Sequence, residues 1–542
     1  GVSFSSIAVK QGSTAPDTVA IVLDDTGAGT FTVTGDGTTS SGGNGSGGTI
    51  ENLTDVDAIT LNNTDGRVTL QNVILEDIAH ASDGADNYGT RRNVDGIHGQ
   101  SVDGGLTLQS VTLRRFSDNA VSGSLFADGI SATPWNGLVV NNAVIEDANR
   151  YHVGPSGPAG LGDDSGEGGI RIIGLSGTVT VSNSTFSRTA QHLDFWSATS
   201  GSLALTVTGN TFNTTTKEFN CSPPGTVSVG KAGISLLARG STSVDAVIGG
   251  AGALANSFTD NNPASLVIVH DSGATGEVDT LIANNTFRVV DHLTGPSTCP
   301  GGSLQFFHPQ GGVYLGPRGG QFDAIVEDNL FDEVMHADGG LGQLTIVADA
   351  GGSSDMVVRD NTFRLPWDAS VRILADANGS ARVLFHDNTY VDGTVGSAGD
   401  DVGFVTQSPF NPWLVNVRNG GSLDLRLDGS GPAGEVLPQH DDVFSIFPHS
   451  FDASINVSGG TFDLWLDDVV SPDGYRFDIG GGTLNLYSET GCPLTPAQIV
   501  DGNGNTGGMN SDATDPPTVV TVGGGTIACS TTQPTVPNPV IP

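Results

Sequence analysis

A short segment recurs along the chain with the same shape and constrains the fold more than any other feature. Residues 179–186 read VTVSNSTF, in which apolar and polar residues alternate, an Asn follows, and a bulky apolar residue closes the segment. Such alternation is typical of a strand with one buried face that runs into a turn. Similar segments read LTVTGNTF, DTLIANNTF, AIVEDNLF, MVVRDNTF and VLFHDNTY, and close at Phe212, Phe287, Phe331, Phe363 and Tyr390.

A second alternating segment precedes each copy. It reads ITL at residues 59–61, IRI at 170–172 and VYL at 313–315. Together the two segments give ten units between Ile59 and Tyr390, whose closing residues lie 26 to 46 positions apart. A solenoid coil needs only about 20 residues, so the excess length is loop. Because no helical period separates the units, we expect an all-β parallel β-helix (solenoid) of about fourteen coils with lateral loops.

Asn stands two places before the closing aromatic residue in six successive units. In coils stacked about 4.8 Å apart, these amides would hydrogen-bond to the amides above and below them. Asn also tolerates the left-handed backbone that a sharp bend requires. Turn residues of unrelated hairpins would not need the same offset in every copy. The predicted ladder consists of Asn210, Asn256, Asn285, Asn329, Asn361 and Asn388.

The charge of the chain limits its partners. Asp and Glu number 59 against 21 Lys and Arg, so the formal net charge is −38. Nucleic acid and anionic lipid need a basic surface, and we therefore expect neither as a partner. No apolar run reaches the roughly 18 residues that a membrane-spanning helix needs. The acidic surface favours solubility and discourages association of sheet edges.

Changes in composition divide the chain into four stretches. Residues 1–50 are interpreted as an N-terminal cap with the first strands, and residues 51–395 as the main β-helix. Residues 396–530 continue the helix with Gly-Gly-Thr turns, and residues 531–542 form a Pro-rich tail or linker that cannot extend a ladder. The sequence starts at Gly1 without a basic–apolar leader, which fits either a removed leader or part of a longer chain.

Four cysteines suggest two disulfides. Cys221 and Cys299 lie in Pro/Gly-rich loops two units apart, where the same corner could bring them together. Cys492 and Cys529 bracket a loop rich in Gly, Asn and Asp. Two such pairs in a Cys-poor chain indicate an oxidising compartment, and the spacing does not fit a zinc site.

One loop is a candidate calcium site. Asp501, Asn503 and Asn505 alternate as the oxygen ligands of a calcium loop do, and Asp512 stands where a Glu is typical. Thr506 replaces the usual Gly, so a loop without an ion is the alternative.

A polysaccharide-active enzyme is the catalytic alternative. A hydrolase needs paired carboxylates within about 10 Å, and a lyase needs a basic residue beside acidic groups. Two clusters combine these residue types, and we interpret each as a solvated loop ion pair: Arg91 and Arg92 with Asp83 and Asp86, and Arg171 with Asp163, Asp164 and Glu167. A row of several Asp with an Arg or Lys on one strand face would favour the enzyme, and no such row is evident in the sequence.

The units VTVSNSTF, LTVTGNTF and MVVRDNTF, with their Gly-Ile-x-Ile partners, resemble the right-handed parallel β-helix repeats of bacterial secreted proteins. These proteins include autotransporter passengers and large surface adhesins. The resemblance covers about residues 50–530, and it implies secretion and display at the cell surface. Because this fold carries enzymes, adhesins and fibre proteins alike, it does not select the function.

We expect a non-enzymatic extracellular surface protein, adhesin-like or structural, that presents loops on a β-helical scaffold. No cofactor is required, and calcium is the one candidate ion. The expected partners are a host or neighbouring cell surface, polysaccharide, or copies of the chain itself. The alternatives are a subunit of an extracellular filament or sheath and a polysaccharide lyase or hydrolase.

Overall fold

The computed structural model places most of the repeat region and parts of its flanks. The described residues are 1–10, 18–79, 94–116, 118–123, 134–148, 168–189, 191–215, 232–261, 264–289, 311–334, 342–364, 369–391, 413–428, 435–436, 453–467, 469–470, 475–487, 519–522, 525–530, 537, 539 and 541.

The chain forms two compact units. The first comprises Gly1–Val267 and Leu293–Pro309, and the second comprises Ile268–His292 and Gln310–Pro542. Their strands pair in parallel, and the one helical segment among the described residues is the 3-10 turn Gly252–Leu254. The prediction of an all-β, solenoid-like parallel fold is confirmed, and it is consistent with a β-helix repeat. The boundaries at residues 50, 395 and 530 stay predictions.

The described residues up to residue 270 form 23 strands. They are β1 Val2–Phe4, β2 Val9–Lys10, β3 Ile21–Asp24, β4 Phe31–Val33, β5 Gly48–Thr54, β6 Ile59–Thr64, β7 Val68–Gln71, β8 Val73–Ala79, β9 Ile97–Val102, β10 Leu106–Gln109, β11 Thr112–Phe116, β12 Val121–Gly123, β13 Trp135–Asn141, β14 Val144–Ala148, β15 Ile170–Ser182, β16 Thr185–Thr189, β17 Leu193–Ser197, β18 Ser202–Thr208, β19 Thr211–Thr215, β20 Ala232–Ala238, β21 Ser243–Gly249, β22 Ser257–Thr259 and β23 Ala264–His270.

The later strands belong to the second unit. They are β24 Glu277–Ala283, β25 Thr286–Val289, β26 Gly311–Pro317, β27 Gln321–Glu327, β28 Leu330–Val334, β29 Gly342–Ala348, β30 Ser353–Arg359, β31 Thr362–Arg364, β32 Ala369–Ala375, β33 Ser380–His386, β34 Thr389–Val391, β35 Trp413–Val417, β36 Ser422–Asp428, β37 Glu435–Val436, β38 Ala453–Asp467, β39 Val469–Val470, β40 Tyr475–Tyr487, β41 Val519–Val522 and β42 Thr526–Ser530.

Strands recur in a fixed order of three, which we call stacks A, B and C. In the first unit, for example, β6 pairs with β9, β7 with β10, and β8 with β11. In the second unit, β26 pairs with β29, β27 with β30, and β28 with β31. The sequence suggested two strands per unit, because each segment that ends in an aromatic residue is in fact two strands, B and C, with the Asn bend between them.

Alternation along each strand fills the core. Val68 and Leu70 of β7 are buried, as are their register partners Leu106 and Leu108 of β10. The closing aromatic residues stack within each unit, with ring centroids of Phe212 and Phe258 4.8 Å apart and those of Phe331 and Phe363 also 4.8 Å apart. Full burial of such a side chain contributes about 1.5–3 kcal/mol.

At the bend between stacks B and C, the expectation of a left-handed backbone at the ladder Asn is wrong. The left-handed backbone belongs to the residue before the ladder Asn, and not to the Asn itself. Asp328, Asp360 and Asp387 have φ values of 55°, 55° and 56°. Short polar side chains adopt this conformation more readily than others, and the ladder Asn is then turned inward.

Candidate functional site

The outer face of stack B in the second unit carries a row of charged residues. In β27, the core residues Phe322 and Ala324 flank Asp323, so strand alternation places Asp323 on the outer face. The register aligns the equivalent residues of successive strands, and we call this row the carboxylate column: Asp279, Asp323, Asp355, Arg382, Asp424, Asp463 and Asn485.

The expectation that no such row exists was wrong. The signal is present in the sequence, because an acid or its Arg partner stands eight places before the closing aromatic residue of four repeats. These pairs are Asp279 with Phe287, Asp323 with Phe331, Asp355 with Phe363, and Arg382 with Tyr390. The apolar positions and the Asn are enough to define the repeat, and neither requires an acid at this position.

Arg382 is paired within the column. Its guanidinium donates two hydrogen bonds to the carboxylate of Asp355, and the two side chains are 39% and 10% exposed. Burial raises the pKa of Asp355; Arg382 opposes this shift, and the charge of Asp323 adds to it. Two stacked carboxylates therefore share the influence of one guanidinium.

Asp424 and Asp463 form a carboxyl pair beside Arg382. Burial first, and then the charge of Asp463 and a hydrogen bond to it, raise the pKa of Asp424 to about 6. Asn485 donates from Nδ2 to Oδ1 of Asp463 at 2.7 Å. Because its pKa is about 6, Asp424 takes up a proton at mildly acidic pH.

Three carboxylates gather at the start of the column. Ligand oxygens of Glu277, Asp279 and Asp323 lie within 4.8 Å of one another. Hard cations such as calcium prefer oxygen ligands but take six to eight of them. Gln321 donates from Nε2 to Oδ1 of Asp323 at 2.5 Å, so one oxygen of the group is already engaged. The cluster can attract a cation, but it supplies only part of a calcium shell.

A second polar row lies on stack A of the first unit. The register aligns Thr60, His98, Ser122, Arg171, Asp194 and Ser235. Arg171 and Asp194 approach to 3.3 Å with side chains 7% and 6% exposed. Burial raises the pKa of Asp194, and Arg171 counteracts this shift. A buried pair of this kind contributes little net stability, because the cost of desolvating the two charges offsets their attraction.

An acidic corner adjoins that row. The backbone N–H of Asp95 donates to Oδ1 of Asp57 at 2.8 Å, and the N–H of Asn119 donates to Oδ1 of Asp95 at 3.1 Å. Burial and the charge of Asp95 raise the pKa of Asp57 to about 6. Nδ1 of His98 lies 3.1 Å from Oδ2 of Asp95; burial works against the imidazolium, but this contact with Asp95 raises the pKa of His98 overall.

Within each unit, the predicted Asn residues hydrogen-bond to one another. In the second unit, Nδ2 of Asn329 donates to Oδ1 of Asn361 at 3.0 Å, and Nδ2 of Asn361 donates to Oδ1 of Asn388 at 3.0 Å. Asn285 donates to Asn329 in the same way, also at 3.0 Å. In the first unit, Asn210 donates to Asn256 at 3.1 Å.

The remaining predicted site residues lie outside the described part of the chain. For Cys529 only the backbone is described. The others are Cys221, Cys299, Cys492, Asp501, Asn503, Asn505, Asp512, Arg91, Arg92, Asp83, Asp86, Asp163, Asp164 and Glu167. The disulfides and the calcium loop therefore stay predictions.

Comparison of the chain with protein-family models, with curated proteins and with solved structures gave no match. Among the described residues, no helix has both the length and the apolar character that a membrane crossing requires.

Proposed function

We propose that the chain is a non-enzymatic extracellular surface protein, adhesin-like or structural, built on a right-handed parallel β-helix of about fourteen coils. The observation that supports this proposal most directly is that most arginines of the described residues pair with acidic residues of the chain itself. Basic side chains that could face a substrate instead bind carboxylates of neighbouring coils. Secretion and a place at the cell surface follow from the resemblance of the repeats to secreted β-helices.

These ion pairs recur across paired strands in both units. Arg115 of β11 lies 2.6 Å from Asp77 of β8, and Arg188 of β16 lies 2.9 Å from Asp147 of β14. In the second unit, Arg382 binds Asp355. Further contacts of this kind are Arg114 with Glu76, Arg318 with Asp349, Arg359 with Glu327, and Arg418 with Asp376. Exposed pairs contribute little energy each, but they occupy the base that a lyase would need.

Incubation with a panel of polysaccharides, with and without calcium, tests the proposal. We expect retention on at least one insoluble polysaccharide or on cells, and no new reducing or unsaturated sugar ends. Release of new ends from any substrate would overturn the non-enzymatic assignment. Asp323→Asn serves as a variant in which the cation-attracting cluster is weakened, and calcium-dependent retention should fall with it.

A filament subunit is the second candidate, supported by the start of the first unit. Val2 and Phe4 of β1 stand in register with the half-buried Phe31 and the core residue Val33 of β4, yet they are 55% and 41% exposed. In the described residues β1 pairs on one side only, so its other edge offers backbone groups and apolar core surface together. An open edge of this kind favours end-on association.

Sedimentation of the full chain at increasing concentration tests the filament. Self-association that Phe4→Asp abolishes would favour it, whereas a concentration-independent monomer would rule it out. A charge at a solvated site, Leu254→Asp, is the matched control because Leu254 is 52% exposed outside the strands.

A polysaccharide-active enzyme is the third candidate, supported by Asp424 and Asp463. A carboxyl with a raised pKa can serve as the general acid of glycoside hydrolysis, and Asp463 stands next to Asp424 in the column. If polysaccharide is cleaved, Asp424→Asn should abolish the activity while the chain stays folded. Cleavage that survives this substitution would exclude the pair as the catalytic group.

A further inference from the structure

An apolar row lies on the outer face of stack A in the first unit. The register aligns Ile173 of β15 with Trp196 of β17 and Leu237 of β20. Each of them follows a core residue of its own strand, so alternation turns all three outward, and they are half-buried. Outer strand positions that face water usually carry polar residues. Three apolar residues in line therefore offer a contact surface.

Two polar neighbours hold Trp196 in one orientation. Its Nε1 donates to Oδ1 of Asp194 at 3.0 Å. The guanidinium carbon of Arg239 lies 5.4 Å from the centroid of its ring, which is the distance of a cation–π contact. The backbone N–H of Arg239 donates to Oγ of Ser197 at 2.8 Å. The indole and the guanidinium are thus in place before a ligand arrives, which lowers the entropic cost of binding.

The guanidinium of Arg239 keeps unused hydrogen-bonding capacity. Its Nη1 is buried and meets no acceptor among the described residues. Asp194 does not supply one, because it lies 3.3 Å from Arg171 and accepts from Trp196. A buried donor without an acceptor is unfavourable. A ligand carboxylate would satisfy it, since the planar guanidinium matches a carboxylate in shape and charge.

We propose that Ile173, Trp196, Leu237 and Arg239, which we call the Trp196 patch, bind a carboxylated polysaccharide. The carboxylate of a uronic acid unit accepts hydrogen bonds from Arg239, and the apolar face of its sugar ring packs on the row. Sites of this kind combine an apolar surface with a few well-placed polar groups. The inference rests on the proposed function, of which it names the ligand class.

The charge of the whole chain acts against a polyanion at long range. The formal net charge is −38. At an ionic strength of about 0.15 M, screening limits this repulsion to roughly 8 Å. The contacts of the Trp196 patch then decide the affinity, so binding should be measured at that ionic strength.

A pair of ligands that differ only in charge tests the proposal. Polygalacturonate and its fully methyl-esterified form are immobilised, and binding of the full chain is measured by biolayer interferometry with EDTA present to exclude calcium bridges. We expect binding to polygalacturonate and an affinity for the ester that is lower by roughly tenfold, as the loss of one charge-assisted contact predicts. Equal affinity for both, or no binding to polygalacturonate, would overturn the proposal.

Substitutions assign the binding to the patch. Arg239→Gln should weaken binding to polygalacturonate by roughly tenfold, whereas Arg239→Lys, which keeps the charge but loses the planar fork, should weaken it less. Leu237→Ser should weaken it through the apolar row. The matched control is Arg188→Gln in the same unit, because Arg188 already contacts Asp147 at 2.9 Å, and it should bind like wild type. Wild-type affinity in both Arg239→Gln and Leu237→Ser would overturn the proposal.

Failure of this inference and failure of the proposed function give different results. Retention on cells or on a neutral polysaccharide that Arg239→Gln leaves unchanged would overturn the Trp196 patch and leave the proposed function in place. New sugar ends released from polygalacturonate, together with weaker binding by Arg239→Gln, would overturn the non-enzymatic assignment and support the patch as the binding site.

Discussion

The Asn ladder and the carboxylate column of the second unit both stack like side chains at the strand spacing. Stacked amides attract one another, whereas stacked carboxylates repel one another. In the ladder, each amide donates to the next and accepts from the one before, as Asn329 does with Asn361 at 3.0 Å. In the column, identical carboxylates repel one another, and Arg382, Asn485 and a proton on Asp424 are needed to relieve the repulsion.

This difference between attraction and repulsion separates rows that serve folding alone from rows that can also bind ligands. A self-complementary amide needs no partner outside its own row, so the fold alone explains it. A row of acids is electrostatically unfavourable and keeps an affinity for cations and protons. The column, and not the ladder, is therefore where ligands and pH should act.

The largest expected effect comes from breaking the ladder. Asn361→Ala removes the acceptor of both the backbone N–H and Nδ2 of Asn329, at 3.0 Å each, and the donor to the carbonyl of Val326. Buried groups left without partners cost about 1–3 kcal/mol each, so we expect a loss of roughly 3 kcal/mol in urea unfolding. Asn213→Ala, at an exposed strand position, should change the unfolding free energy by less than about 0.5 kcal/mol. An equal loss in both variants would show that the ladder has no special role.

The second largest loss of stability should follow removal of Arg382, which carries the one guanidinium of the column. Arg382→Met leaves the carboxylate of Asp355 buried without its partner. Such losses reach about 3–5 kcal/mol in full burial, and because Arg382 is 39% exposed we expect about 2 kcal/mol at pH 7. Without Arg382 the pKa of Asp355 rises further, so the deficit should shrink as the pH falls and Asp355 takes up a proton. Thermal unfolding at pH 7 and pH 4 measures both effects; a deficit independent of pH would point to lost packing instead.

A third substitution should stabilise the chain. Asp424→Asn replaces the acid of raised pKa by the amide that Asn485 already places in the same row. A carboxyl whose pKa is raised to about 6 in the folded state favours folding below its unfolded value near 4, and this contribution is lost as the pH rises through 6. At pH 7 we expect Asp424→Asn to gain about 1 kcal/mol after allowance for solvent screening.

The pH dependence provides the check. Chemical denaturation of wild type and Asp424→Asn should converge between pH 6 and pH 4, where the wild-type carboxyl becomes protonated. A variant less stable than wild type at pH 7 would mean that the Asp424 carboxylate binds a cation or accepts a hydrogen bond that the amide cannot replace.

The smallest effect belongs to exposed charges outside both rows. Arg188, 51% exposed, contacts Glu146 and Asp147 at 2.9 Å. We expect Arg188→Ala to cost about 0.5 kcal/mol at low salt and almost nothing in 0.5–1 M salt. A salt-independent loss above about 1 kcal/mol would show that these cross-strand pairs matter for stability.

The apolar pattern of the sequence was sufficient to predict the parallel, all-β repeat, because core columns such as Val68 with Leu106 are set by alternation alone. The six ladder residues were identified for the same reason, since a fixed offset from the aromatic residue implies stacking. The third strand of each coil was not recognised, because β31 and β34 are only three residues long.

The candidate site was harder to predict because its properties come from the register. Asp424 and Asp463 are 39 residues apart in sequence, and nothing local indicates that they lie side by side on paired strands. Likewise, the aliphatic residues Ile325 and Val357 read as ordinary strand residues. Only the alignment of neighbouring strands shows that they form an outer stripe and that Ile541 packs on it.

The common register of β27, β30 and β33 has a consequence for the gene as well as for the protein. An in-frame deletion of residues 353–379 would remove one coil and bring β33 against β27. Arg382 would then meet Asp323, and Asn388 would meet Asn329, so an ion pair and an amide contact would replace those that were lost. Chains of this design can lengthen or shorten by duplication or loss of whole coils. Their length can therefore change during evolution while the fold stays the same.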